Sequence, residues 1–570
     1  MDAGKRTIND IFNGNRILEV PFFQRAYVWD ISQWERLLED MENVSLNNKP
    51  YFLGSVILKQ QPTNTGNVIG DKRTLIDGQQ RLTTLSIFFK VLSLKLNDDY
   101  EFNRMFKIRD LIAIQHNHND IDAYERVMNL KDLEDLTDKD NITRAYSYFK
   151  EKMNIEKLNI NNILSKILFV GIDLSENEDE QQIFDTINSL GVRLTTAELL
   201  KNYFFNRDEI SSYNTYWKDV FEKNEETKNY WDTEITAGRS KREFIDIFFF
   251  SYLQIKIQEK ELKVKTEDKI EFSKVENLFE SYKKFIKEYL NNDNKSILEE
   301  IKEYALIFQK NFDFNIVENE LTNNAGIERI NAIIFGLDTT TIIAYILFVL
   351  KNVSNDDKRN KLFEFLETYI MRRMIVHAST KNYNQLFTDR LINNKILSKE
   401  EFINYLNNQS ETVNFLPTDT DLENCIKDIV LVNKQSAGIL YFIESKIRNR
   451  NYQSTQLLGL NKYSLEHLMP KKWENHWHNS LNNEEKMNRN RKLLTLGNLT
   501  IITQSLNSTI RDANWENKKN GKGDKKGLIA YASGLETMSH YLSFDDWDEK
   551  AIEDRANFLL EKAKEIWKVD

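Results

Sequence analysis

Residues 73–85 read RTLIDGQQRLTTL, and the hydrophobic period of the chain changes there at a single glycine. Before Gly78, RTLID has the β-branched and aliphatic content of a short strand. After it, Leu82, Leu85, Phe89, Leu92 and Leu96 recur at spacings of three and four, the apolar stripe of an amphipathic helix. A chain satisfies both periods only by turning from strand to helix at the glycine. Upstream, YFLGSVIL at 51–58 predicts a second strand, and the polar QQPTNTGN predicts the loop between them.

From about residue 100 the sequence turns predominantly helical. Val275, Leu278, Phe279, Tyr282, Phe285, Ile286 and Tyr289 form one stripe, and LFEFLETYIMRRMIV at 362–376 predicts another helix. The segment DDWDEKAIEDRANFLLEKAKEIW closes as a helix with Ile552, Leu559 and Ile566 among its apolar positions. Five prolines in 570 residues leave such helices uninterrupted. The expected class is α+β, mostly helical: a small mixed domain first, then a helical middle. A chain this long exceeds one hydrophobic core and suggests roughly three or four units.

Composition narrows the setting. Cys425 is the only cysteine, which excludes an intramolecular disulfide and any multi-thiolate zinc site and fits the reducing cytoplasm. The opening MDAGKRTINDIFNGNRILEV lacks a signal-like apolar run. IIAYILFVL at 342–350 falls short of the ~20 residues a membrane span requires. A net charge of −10 argues against a body coated in cations for indiscriminate nucleic-acid binding, while leaving room for a local groove. RDANWENKKNGKGDKK at 511–526, with six basic and three acidic residues, suits such a groove or a solvated loop equally well.

Two constellations carry candidate chemistry. At a helix start the first amide N–H groups lack partners and the macrodipole is positive, so the turn at Gly78 offers an anion site. There Arg81 can grip phosphate, Asp77 can hold a metal or orient water, and Gln79 and Gln80 can hydrogen-bond without adding charge. Asp77 as a helix cap with Arg81 in solvent fits the same spacing. PFFQRAYVW at 21–29 adds Gln24 and Arg25 among aromatics, a composition suited to stacking on a base or to an ordinary core edge.

The second constellation is YSLEHLMPKKW at 463–473 followed by LGNLTIITQSLNSTI at 496–510. Phosphodiester hydrolysis needs a base for water and a cation for the leaving oxygen. His467 is the candidate base, Glu466 and Asn507 are candidate oxygen ligands for Mg²⁺, and Asn498 can hold the histidine segment in register. Neighbours on a regular strand face opposite ways, so the strand must end or bend near His467, as Pro470 suggests. His476 and His478 are expected to serve surface or core. His116, His118, Asp120 and Asp122 are expected to be polar loop groups, and His377 to sit where a helix ends. Arg372 and Arg373 suit a salt-bridged helix face.

VPFFQRAYVW, YFLGSVIL, LIDGQQRLTTL and FDTINSLGVRLTTAELLKN at 184–202, in that order, resemble the amino-terminal domain of GmrSD-type modification-dependent (type IV) restriction systems. The resemblance implies a ParB/sulfiredoxin-like fold that binds and hydrolyses a nucleoside triphosphate such as GTP, with Asp77, Gly78, Gln79, Gln80 and Arg81 at the nucleotide. Asn188 and Gly191 match the fourth motif, although a helix C-cap explains such a glycine. Arg372 and Arg373 resemble a family arginine pair.

LEHLMP, GNLT and SLNSTI, with Lys518 and Lys519 downstream, resemble the HNH or His-Me (ββα-metal) finger nuclease domain at the carboxy end of the same family. That resemblance implies His467 as base, Glu466 and Asn507 as ligands of Mg²⁺ or Mn²⁺, Asn498 as the supporting asparagine, and Lys518 and Lys519 at DNA. No cysteine-based structural zinc accompanies this finger, and glutamate stands where other finger nucleases commonly have aspartate. Expected boundaries are 1–210 for the sensor with a helical extension, 211–405 for the connecting helices and 406–570 for the nuclease.

The implied partner is double-stranded DNA, modified phage DNA above all, with no membrane. One finger per chain cuts one strand, so double-strand breaks need a homodimer or repeated nicking. A nucleotide-gated DNA-binding regulator that does not cut, and a toxin-like nuclease indifferent to modification, are the competing expectations.

Overall fold

The structure is a computed structural model that describes residues 2–12, 16–21, 24, 26–61, 71–137, 139–175, 195–205, 209–237, 240–291, 293–409, 412–448, 456–475, 477, 481–532 and 534–569. Asn188, Gly191, Arg25, His476 and His478 lie outside the described residues. The chain forms two compact units, Met1–Lys218 and Asp219–Asp570. The helices after Lys218 and the carboxy-terminal elements fall within the second unit.

In the first unit, β1 (Asp2–Thr7), β2 (Ile17–Glu19), β3 (Tyr51–Gln60), β4 (Lys72–Asp77), β5 (Ile114–Gln115) and β6 (Ile167–Leu174) form a mixed sheet in the order β1-β6-β3-β4-β2-β5. β1 pairs antiparallel with β6 and β3 with β4, while β3–β6, β2–β4 and β2–β5 are parallel. The helices of the unit include α1 (Ile31–Asn47), α2 (Gln79–Leu96), α3 (Ile121–Met128) and α4 (Asn141–Lys152). The strand-to-helix turn falls where the period changes. Gly78 has φ 103°, a conformation that L side chains rarely adopt, and an added Cβ would stand 3.0 Å from Val56 Cγ2.

α2 departs from the expected one-sided stripe. Leu82 through Ser93 are all buried, because the helix packs against α3 and α4 as well as lying in the core of the unit, and only Leu96 of the expected stripe is exposed. A helix enclosed on all sides carries apolar residues all round. Each fully buried leucine or phenylalanine stabilises the fold by about 1.5–3 kcal/mol.

The second unit contains α5 (Phe244–Lys256) packed on α6 (Ile343–Asn352), followed by α7 (Asp356–Ile375) and α8 (Asn433–Ile447). Then come the hairpin strands β7 (Tyr463–His467) and β8 (Leu499–Thr503), α9 (Gln504–Ile510), α10 (Trp515–Asn520) and α11 (Glu549–Ile566). The predicted stripe at 275–289 is one 3₁₀ turn, Val275–Asn277, running into a helix over Leu278–Tyr289.

Buried arginines tie the helices to the carboxy-terminal elements. Arg372 donates to Trp567 O (2.5 Å), Pro417 O (2.9 Å) and Asp419 (2.6 Å). Arg373 donates to Phe415 O (2.9 Å) and Ser379 O (2.7 Å). Arg372 makes the expected kind of salt bridge, to Asp419, but both arginines are 1% exposed, so the pair is an interior clamp and not a helix face open to solvent. Arg329 forks onto Glu367 at 2.6 and 2.8 Å, and the Trp567 indole donates to the same carboxylate at 3.0 Å. No helix among the described residues is long and apolar enough to cross a membrane.

Candidate functional site

β7 and β8 pair antiparallel, with Glu466 opposite Thr500 and His467 opposite Leu499. β7 ends at His467, and the Leu468 N–H turns aside to Asn498 O at 2.9 Å. Asn498 is fully buried and spends its whole amide on this turn. Its Oδ1 accepts from Met469 N (2.8 Å) and Trp547 Nε1 (2.9 Å), and its Nδ2 donates to Met469 O (2.8 Å) and Leu493 O (2.9 Å). Both ends of the amide are thus engaged with the turn after β7, with Leu493 and with Trp547. Next to it, Gly497 lies so close to α11 that an added Cβ would meet Ile552 O at 2.2 Å. Arg555, wholly buried, donates to the carbonyls of Leu496, Gly497 and Leu499 at 3.2, 3.0 and 2.7 Å.

Around the end of β7 stand Glu466, His467 and Asn507. The Asn507 Nδ2 donates to Ser464 Oγ and Leu465 O, both at 3.1 Å, which leaves its side-chain carbonyl as the atom it can offer. By strand alternation Ser464 and Glu466 share one face, and His467 is the terminal residue, where the strand no longer dictates direction. Glu466 is buried and ion-paired with Lys518, whose ammonium also donates to His467 O at 2.6 Å. Burial pushes the Glu466 carboxyl up and the Lys518 ammonium down, and their attraction opposes both shifts. Burial, with Lys471 and Lys518 nearby, lowers His467 to about 4, so its ring is neutral at pH 7.

Among the described residues no cluster of three His, Cys, Asp or Glu side chains could hold a metal ion. The hard oxygen donors beside the end of β7 are the Glu466 carboxylate, already paired with Lys518, and the Asn507 side-chain carbonyl. Zinc would find no imidazole or thiolate cage here.

In the first unit, Asp77 Oδ2 accepts from Ser55 Oγ (2.6 Å) and Arg81 Nη2 (3.1 Å), and Arg81 also donates to Ser55 O (2.7 Å). Asp77 and Arg81 remain 29% and 25% exposed. The N-cap position of α2 is Gly78 itself and has no side-chain cap, so Asp77 is not the cap and Arg81 is not a loose solvent residue. Gln80 and Gln24 are occupied with backbone: Gln80 accepts from Val28 N (3.0 Å) and donates to Ala26 O (3.3 Å), and Gln24 donates to Ile76 O (2.8 Å). They clasp the segment around 24–28 to the strand and helix that flank Gly78. Gln79 is buried. Ser55 is the member of this cluster that the sequence pattern does not single out; a hydroxyl in an otherwise apolar strand is the one signal it leaves.

Residues 8–205 match the GmrSD restriction endonuclease N-terminal domain, and residues 416–562 match the GmrSD restriction endonuclease C-terminal domain, between them more than half of the chain. The chain belongs to the GmrSD restriction endonucleases. No curated protein matches it. The family implies endonuclease activity, with DNA as the polymer acted upon.

Several side chains of this GmrSD protein stand where the sequence pattern does not put them. Lys518 is fully buried and Lys519 nearly so, with the Lys519 ammonium on Phe544 O at 2.9 Å, so neither is a surface contact for DNA. The cations that do face solvent in that stretch are Arg511 and, on a two-stranded hairpin of Gly521–Lys522 and Lys525–Lys526, Lys522, Lys525 and Lys526. Lys522 sits directly opposite Lys525, a like-charge pairing that an anion relieves.

His116 and Asp120 are buried, unlike loop polar groups: His116 Nε2 lies 3.0 Å from Thr83 Oγ1, and Asp120 accepts from Tyr27 N at 2.8 Å. Burial raises the Asp120 carboxyl to about 6. His118 packs its ring on Tyr213 at 4.6 Å. His377 follows the C-cap Val376 of α7, at a helix end as expected, and its N–H donates to Met374 O at 3.1 Å.

Proposed function

We propose that this GmrSD protein hydrolyses one strand of modified foreign DNA at Glu466, His467 and Asn507, under control of a nucleoside triphosphate bound at Asp77 and Arg81. The observation that supports the nuclease reading is the end of β7, where Glu466 and His467 adjoin a turn held by Asn498 and Asn507 is hydrogen-bonded to the same strand at Ser464 and Leu465.

Glu466 and Asn507 would hold a divalent cation, Mg²⁺ or Mn²⁺, which when bound supplies charge stabilisation at the phosphodiester oxygens. His467, with its lone pair unprotonated at pH 7, accepts the proton of the attacking water. Its basicity is low in the free protein because two ammonium groups and burial disfavour imidazolium. An incoming phosphate opposes those charges and moves the ring back toward the range of an effective base. Asn498 keeps the turn fixed so that the imidazole needs no rearrangement. The exposed hairpin cations at 522, 525 and 526 suit the DNA backbone.

For the first unit, the supporting geometry is an aspartate and an arginine held together by Ser55 beside the amino end of an 18-residue helix, where the macrodipole favours phosphate. The deciding experiment is a plasmid nicking assay with Mg²⁺ on unmodified, methylated, hydroxymethylated, glucosylated and phosphorothioated DNA, each with and without GTP or ATP. His467→Ala is expected to lose about 10²-fold or more of the rate. Cleavage that survives this substitution rejects the assignment, and cleavage indifferent to every modification rejects modified DNA as the preferred substrate.

A further inference from the structure

The stretch that carries His467 runs on into Pro470, Lys471, Lys472 and Trp473, and on either side of the two lysines the chain is anchored in the interior. Leu468, Met469 and Pro470 are buried, and Asn498 holds Met469 by both its N–H and its carbonyl, each at 2.8 Å. Trp473 is buried too: its indole donates to Asn490 at 2.8 Å and the Arg489 guanidinium lies 4.8 Å over its ring. A 3₁₀ turn, Trp473–Asn475, follows, with Asn475 N on Lys472 O at 3.3 Å. Between Leu468 and Trp473 only Lys471 and Lys472 face solvent. The fold thus presents two adjacent ammonium groups on backbone fixed at both ends, which leaves little ordering cost for a ligand that binds them.

Both charges are uncompensated. Neither lysine has a hydrogen-bond or ion-pair partner for its ammonium among the described residues, whereas other cations around β7 are neutralised: Lys462 by Glu318, Lys492 by Asp428, Arg489 by Glu549 and Lys518 by Glu466. Like charges side by side repel, and a polyanion removes that cost while shedding its own counter-ions.

The two lysines differ in their relation to the base. Lys471 is one of the two cations whose charge disfavours imidazolium at His467, and Lys472 exerts no such effect. Because Coulomb interaction falls with distance, the Lys471 ammonium is the nearer of the two to the ring. In hydrolysis the water gives a proton to His467 as its oxygen bonds to phosphorus. One P–O ester bond breaks, and its electron pair leaves on the deoxyribose oxygen, which takes a proton from solvent. On the way, extra negative charge gathers on the non-bridging oxygens. A cation fixed beside those oxygens lowers the barrier, while one on a neighbouring phosphate positions the strand.

We propose that Lys471 grips a non-bridging oxygen of the scissile phosphate and Lys472 the phosphate next to it. The turn locked by Asn498 then aligns the base and the DNA backbone as one rigid piece. The proposal deepens the nuclease reading and rests on it for the site of the scissile phosphate.

The test compares the full-length chain with Lys471→Met, Lys471→Arg, Lys472→Met and, as a control for net charge alone, Lys462→Met. Anisotropy of short fluorescent duplexes, one for each modification named above, gives affinity without metal across a salt series. Single-turnover nicking of the same duplexes with Mg²⁺ and saturating protein gives the rate. Lys471→Met is expected to lower the saturated rate about 10²-fold or more, and Lys471→Arg to recover most of that loss. Lys472→Met should weaken binding and flatten the slope of log affinity against log salt by ~0.9. Lys462→Met should leave the slope unchanged. All four positions changed are exposed or rim sites, so melting should match the parent chain.

A Lys471→Met protein that cuts at the parent rate once saturated overturns the contact with the scissile phosphate. A slope that Lys472→Met leaves unaltered, or that Lys462→Met flattens equally, overturns the neighbouring one. If the parent chain cuts no duplex, the nuclease reading fails by itself. The grip on phosphate is then upheld if Lys471→Met and Lys472→Met each flatten the salt slope by ~0.9, and overturned if they do not.

Discussion

Lys518→Met should loosen the end of β7 in a way that a second substitution repairs. The Lys518 side chain is 0% exposed and that of Glu466 8%, and the ammonium also satisfies His467 O at 2.6 Å. Removing the cation strands a buried carboxylate, which costs about 3–5 kcal/mol. Glu466→Gln strands the ammonium instead and falls in the same range. The pair Lys518→Met with Glu466→Gln leaves no stranded charge and should cost only ~0–2 kcal/mol, a coupling of at least ~3 kcal/mol.

The single Lys518 variant also carries a pH signature. Its stranded carboxyl has a folded pKa raised by burial, so protonation relieves the cost below the unfolded carboxyl value, and stability is lost as pH rises through the folded one. Destabilisation should therefore be greater at pH 8 than at pH 5. Amide hydrogen exchange of residues 463–470 and 515–520, read by mass spectrometry at both pH values, reports the opening free energy of this region. If the double variant opens as readily as the two single costs summed, Lys518 is not the counter-ion of Glu466 and the reasoning from burial is refuted.

Asp77→Ala and Arg81→Ala should each lower nucleoside triphosphate turnover, and Ser55→Ala should lower it through the loss of one charge-assisted hydrogen bond, about 1.5 kcal/mol or more; unchanged phosphate release in all three rejects the nucleotide assignment. Asp120 has a folded pKa of about 6 against about 3.9 unfolded, so its contribution to stability is greatest below pH 4 and declines through pH 6, by up to ~3 kcal/mol. Asp120→Asn keeps an acceptor for Tyr27 N and should flatten that decline in urea melts of the protein. Replacing Lys522, Lys525 and Lys526 by alanine should reduce the slope of log affinity for DNA against log salt by up to ~0.9 for each phosphate no longer neutralised, with no change in melting; an unaltered slope removes the hairpin from the DNA face.

Local chemistry is legible in the sequence where adjacent residues decide it. The β-branched and aliphatic content of RTLID and the glycine after it place β4 to within a residue, the turn and the first residue of α2, because strand propensity and positive φ are properties of a few neighbouring residues. The end of β7 at His467 is likewise foreshadowed by the proline three residues on. Burial is not legible. Lys518 and Lys519 read as surface cations because charge is visible in a sequence and the partner, Glu466, lies 52 residues away. Arg372 and Arg373 are misplaced for the same reason, and so are His116 and Asp120, whose partners come from Thr83 and Tyr27.

The clamp between α7 and Trp567 bears on how such proteins can be recombined. A hybrid joined at residue 416, where the second family match begins, would take its hairpin and last helix from one parent and Arg372, Arg329 and Glu367 from the other. The incoming indole and its carbonyl would have to find a guanidinium and a carboxylate of matching reach in a foreign interior. The cutting portion is therefore no portable cassette: a graft that works must bring both α7 and the helix Ile327–Asn331 that carries Arg329, so exchange between lineages would favour crossovers upstream of residue 327.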